Sequence, residues 1–87
     1  MKTLFQLFSA YPKQVSKRYL TKAIYIENQL VNGINYQKLN GSQLRCRPEL
    51  IRFKLGIYRL IFQLCPDGYK PLYLIKRKNL DRFLKRR

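Results

Sequence analysis

The residues of this chain best suited to chemistry are cations: Arg52, Lys54, Arg59 and Arg77. The run LIRFKL, Leu50 to Leu55, alternates, so Ile51, Phe53 and Leu55 point one way and Arg52 and Lys54 the other. Gly56-Ile57 suits a two-residue type II′ turn, with glycine in its first central position. Such a turn sets Leu55 opposite Tyr58, Phe53 opposite Leu60, Ile51 opposite Phe62, and Lys54 directly opposite Arg59. With an ordinary second turn, Arg77 reaches the same face. One reading is an outward, half-exposed sheet face, where Lys and Arg are common. Like charges facing each other across a strand pair are unfavourable, however, and folding alone does not call for them. A bound phosphodiester relieves the repulsion.

That arrangement also supports a reaction. Crowding by arginines disfavours the charged form of a lysine, which suits Lys54 to act as a general base. Arginines can hold a phosphate and stabilise the charge added in the transition state. RNA brings its own nucleophile, the 2′-hydroxyl, so cleavage needs no metal, and DNA is not a substrate.

Composition points the same way. Nineteen Lys and Arg face four Asp and Glu in 87 residues, and the net charge is +15. A field this positive favours a polyanion, most simply nucleic acid. The chain has no histidine for a triad or a zinc site. Its acids, Glu27, Glu49, Asp67 and Asp81, are too scattered for a metal site or a catalytic pair. No metal or cofactor is expected. Cys46 and Cys65 lack metal spacing and read as free thiols of a cytoplasmic protein. No stretch approaches the ~20 apolar residues of a membrane span. The opening MKTLFQLFSA has too short an apolar run for a secretory signal, and Gln6 interrupts it.

Residues 1–87 read as one domain, and 46% apolar content is enough for a small core. Leu4, Leu7, Phe8 and Tyr11 share a helical face, and Pro12 starts a second helix. There Val15, Tyr19, Ala23, Ile26 and Leu30 make an apolar stripe, with Lys13, Lys17, Arg18 and Lys22 outside. Asn32-Gly33 ends it. Ile34 to Pro48 reads as an irregular connection with a turn at Asn40-Gly41. Three strands follow. The second places Tyr58, Leu60, Phe62 and Leu64 on one face and Arg59, Ile61 and Gln63 on the other. Cys65-Pro66-Asp67-Gly68 turns the chain into a third strand near Lys70 to Arg77, and a basic helix runs from Asn79. The expected class is α+β: an N-terminal helical hairpin on one face of a small antiparallel sheet, with a short C-terminal helix.

The segments YQKLNG (Tyr36 to Gly41), LIRFKLGIYRLIFQL (Leu50 to Leu64) and LYLIKRKNLDRF (Leu72 to Phe83) resemble the RelE/ParE superfamily of bacterial toxins, closest to RelE-type mRNA endonucleases. The resemblance implies a toxin-type endoribonuclease that cleaves mRNA on the ribosome and inhibits translation, neutralised by a cognate antitoxin. It implies Lys54 as general base, Arg59 as the arginine that stabilises the transition state, and Arg52 and Arg77 as further basic positions. Lys76 and Lys78 would meet RNA phosphates, although alternation turns Lys76 to the opposite face. Tyr73 shares the parity of Arg77 and could stack on a base or simply pack. Lys85, Arg86 and Arg87 could track RNA or be a solvated end.

Two departures stand out. Phe83 occupies the place of the usual tyrosine, keeping a stacking surface without a hydroxyl. The family also opens with a strand; here either Leu4 to Phe8 is that strand or the sheet lacks an edge. Two other readings therefore stay open: a non-catalytic RNA- or ribosome-binding module, and a ParE-like inhibitor of DNA gyrase.

Overall fold

A capping box starts the first helix, α1 (Leu4–Ser9): the Thr3 side chain accepts from the Gln6 backbone N–H, and the Gln6 side chain accepts from that of Thr3. The segment is helical, so the sheet has no N-terminal strand among the described residues. The computed structural model of the chain describes residues 3–85, without the side chains of residues 81 and 83–85. Pro12 caps α2 (Lys13–Val31), and Asn32 closes it, as the stop at Asn32-Gly33 predicts. Leu4, Leu7 and Phe8 of α1 and Ala23, Ile26 and Leu30 of α2 are buried against the sheet, with Val15 and Tyr19 beside them.

The sheet is antiparallel, in the order β1 (Ser42–Gln43), β2 (Leu50–Leu55), β3 (Tyr58–Cys65), β4 (Gly68–Lys76). The β2–β3 register is the expected one: Leu55 faces Tyr58, Lys54 faces Arg59, Phe53 faces Leu60 and Ile51 faces Phe62. Gly56 has φ +61 at the turn. Phe53 and Phe62 meet edge to face on the core side, at 5.6 Å between centroids.

Three features depart from the sequence reading. The connection before Leu50 is not wholly irregular, because Tyr36–Leu39 forms a 3-10 turn and Ser42–Gln43 adds β1 at the edge of β2. Two polar residues show no alternation, so nothing local marks them as a strand. The β3–β4 register slips between Ile61 and Phe62, which face Tyr73 and Pro71 and leave Leu72 as an extra residue. Leu72 and Tyr73 consequently both pack on the same side, against a second cluster of Leu44, Leu50, Ile61 and Leu80. Finally, the last helix, α3, spans Arg77–Lys85, starting before Asn79.

The second cluster changes the nature of the far sheet face. Ile61, which alternation assigns there, is 0% exposed. α3 packs on β3 and β4, bringing Leu80 over Ile61. The sheet is thus covered on both sides, by the hairpin on one and in part by α3 on the other.

A long-range polar contact ties the hairpin to the sheet. The Tyr11 hydroxyl donates to the Leu74 carbonyl at 2.5 Å, while its ring meets Tyr58 edge to face at 5.2 Å. Burial, and then the neighbouring Tyr58, hold the Tyr11 phenol above its ordinary pKa. Tyr11→Phe keeps the ring contact and removes the donor. It is expected to cost about 0.5–1.5 kcal/mol in urea unfolding. An unchanged midpoint would mean that water serves Leu74 equally well.

Candidate functional site

Arg52, Lys54, Arg59 and Arg77 do converge. They line one recess of about 310 Å³, floored by Leu80. Alternation on β2 and the turn register bring three of them together, and the end of β4 brings the fourth. Arg77 arrives by a route alternation does not describe: it opens α3, and its backbone N–H donates to the Ile57 carbonyl at 2.7 Å. That bond extends the β3–β4 ladder by one step just where the chain turns into the helix.

The four cations differ in exposure. Lys54 is exposed and Arg52 half-buried, whereas Arg59 retains only 5% of its surface. Arg59 Nη1 donates to the carbonyls of Gly56 and Tyr58, each at 2.8 Å. The guanidinium is therefore fixed by the turn that sets the register. Burial, then the charges of Arg77 and Arg52, push the Arg59 pKa below its ordinary value. A buried arginine surrounded by other cations is costly, and an anion in the recess would offset that cost.

Among the described residues, no acid lines the recess. Glu49 is paired with Arg47 at 2.5 Å, and the hydrogen bond from Arg47 holds its carboxyl below the usual carboxylate range. Asp67 pairs with Lys70 at 3.5 Å, at the β3–β4 turn. Among the described residues, no group of three or more His, Cys, Asp or Glu could hold a metal ion.

Residues 17–79 match the ParE-like toxin domain family. The chain belongs to that family. All four cations of the recess fall inside the matched span of this ParE-like toxin domain, as do Lys76 and Lys78. Nothing among curated proteins or solved structures matches the chain. As a toxin domain of the RelE/ParE superfamily, it implies a cognate antitoxin.

The other expected contact residues of the toxin domain are placed differently. Lys76 pairs with Tyr58 in register, on the core side of the sheet, and lines a separate recess with Gly56, Ile57, Arg77 and Lys78. Among the described residues, the two recesses share Arg77. Tyr73 lies half-buried against the second cluster, packed with Leu44, Leu50, Ile61 and Leu80. The backbone of Phe83 lies in α3, but its side chain, that of Lys85, and Arg86 and Arg87 lie outside the described residues. Sequence reasoning missed Leu80 as the floor of the recess. Its signal was the apolar residue between Asn79 and Asp81 of a basic segment, legible only once α3 is known to fold back. The described residues contain no helix long and apolar enough to cross a membrane.

Proposed function

We propose that this toxin domain is a metal-independent endoribonuclease that cleaves mRNA, working on the ribosome in the cytoplasm. The observation that carries this reading is the recess in which Lys54 faces Arg59, with Arg52 and Arg77 beside them and no acid in its lining among the described residues. In the proposed reaction the Lys54 amine takes the proton of the 2′-hydroxyl. O2′ then bonds to phosphorus, and the bond from phosphorus to the 5′-oxygen breaks. The 5′-oxygen leaves with a proton from water, and a 2′,3′-cyclic phosphate remains. Arg59, already held by two carbonyls, and Arg77 bind the non-bridging oxygens and stabilise the added charge. Arg52 holds the same phosphate from β2. Lys78, exposed at the start of α3, and Lys76 stand where RNA leaving the recess past Arg77 would meet them.

A second reading follows from the family itself, since the match is to ParE-like toxin domains: inhibition of DNA gyrase. One experiment separates the two. The chain is induced in cells from a tight promoter beside a Lys54→Ala/Arg59→Ala version, and 5′ ends are mapped across mRNA within minutes. Cleavage within coding regions, absent from the double variant, is the expected result. Intact mRNA with accumulating gyrase-cleaved DNA would establish the second reading. Intact mRNA and intact DNA would leave a module that binds RNA without cutting it.

A further inference from the structure

Beside the four-cation recess lies a trough of about 560 Å³, lined by Lys22 and Ile26 of α2, Leu39, Asn40, Gly41 and Ser42 of the connection, and Arg52 and Lys54 of β2. The two hollows share Arg52 and Lys54 in their linings and so lie side by side. Both fall in the usual size range of ligand sites, about 300–1,000 Å³. Among the described residues, no acid lines the trough and Lys22 makes no salt bridge.

The far wall of the trough is built rather than loose. Asn40 takes a left-handed conformation, φ 63, and its N–H donates to the carbonyls of Gln37 and Tyr36. The Gly41 N–H donates to Tyr36 at 2.9 Å. Gly41 lies so close to the Phe53 ring that an added Cβ would stand 2.6 Å from Cε1. Ser42 then pairs with Arg52 across the edge of the sheet. The wall is thereby drawn onto the core and leaves the space above Arg52 open. Cationic grooves that follow the backbone, with apolar surface for the bases, are the usual means of holding a single strand. Here Lys22 supplies the charge, and the half-buried Leu39 the apolar surface.

Resting on the ribonuclease reading, we infer that this trough binds the neighbouring phosphate of the same RNA strand, with Lys22 as its contact. Arg52 and Lys54, common to both hollows, lie between the two phosphates. A substrate with one phosphodiester uses the recess alone, and a longer strand gains the trough.

The test uses 2′-O-methyl RNA, which lacks the nucleophile and is not cut. A dinucleotide and a tetranucleotide are titrated against the full chain over a range of salt concentrations. Each phosphate neutralised on a single strand contributes a slope of about −0.7 in log K against log salt. Lys22→Ala is expected to reduce the slope by about 0.7 for the tetranucleotide and to leave the dinucleotide unaffected. Lys17→Ala, an exposed charge on the same helix outside the trough, controls for net charge. Arg52→Ala is expected to weaken both oligonucleotides. Equal effects of Lys22→Ala and Lys17→Ala overturn the trough while leaving the recess intact, provided that Arg52→Ala still weakens the dinucleotide. Loss of dinucleotide binding in Lys22→Ala also overturns it, by placing Lys22 on the first phosphate. If the wild type binds neither oligonucleotide, or Arg52→Ala changes neither, the trough and the ribonuclease reading fall together.

Discussion

Lys54→Ala is expected to slow single-turnover cleavage of RNA by about 10²–10⁴-fold, the usual contribution of a positioned general base. Arg59→Ala is expected to cost about 10²–10³-fold, as for the loss of one preorganised donor to a developing oxyanion. The two effects should combine less than additively, because residues that act on one transition state behave as a unit. Arg59→Lys is the informative partner variant. It keeps the charge but loses the planar fork, so it should remain far below wild type. Cleavage should persist with excess EDTA and should spare DNA of the same sequence. A requirement for a divalent ion would overturn the mechanism. Undiminished rates in both alanine variants would remove these residues from the site. Thermal unfolding of each variant belongs beside the kinetics, since Arg59 is buried and holds two carbonyls of the turn.

The largest effect on stability is expected at Gly56, where the fold and the site share one residue. Its φ of +61 lies in the left-handed region, at a cost of about 1–2 kcal/mol for a residue with a Cβ. A Cβ there would also overlap the Tyr19 hydroxyl and stand 2.7 Å from Tyr19 Cζ. Overpacking of this kind costs about 1–3 kcal/mol. Gly56→Ala should therefore lower Tm by at least about 10 °C in a domain of this size. Tyr19 cannot simply swing away, because its ring packs edge to face on Tyr58 at 5.9 Å. Adding Tyr19→Phe removes the hydroxyl and should restore part of the loss, giving a positive coupling in a double-mutant cycle. A change in Tm under about 2 °C would show that the turn yields freely. Because the Gly56 carbonyl receives Arg59, the same substitution should also loosen the recess.

Much of the fold was legible because its signals are local. Period-two alternation from Leu50 to Leu64 and a glycine at the turn were enough for the β2–β3 register, residue by residue. The apolar spacing of α1 and α2, with Pro12 between them and the stop at Asn32-Gly33, was enough for the hairpin. Local rules failed where the cause lay elsewhere in the chain. Ser42–Gln43 is a strand only because β2 offers an open edge. The slip that places both Leu72 and Tyr73 on the second cluster shows neither in their own alternation nor in Pro71 alone. Alternation identified the far sheet face but not the helix that covers part of it, so Arg59 and Ile61 read as outward when both are buried.

The sequence by itself determined the cationic, acid-poor chemistry and the facing of Lys54 and Arg59, since composition and a two-residue turn leave little freedom. Only the tertiary structure decided how those charges are used. The packing of α3 turned an exposed basic face into a recess with an apolar floor at Leu80. The turn carbonyls fixed Arg59, the start of α3 delivered Arg77, and α2 with the folded connection added a trough at Lys22. These outcomes depend on contacts between residues distant in the chain, whose placement follows from burying two apolar clusters at once rather than from any local pattern.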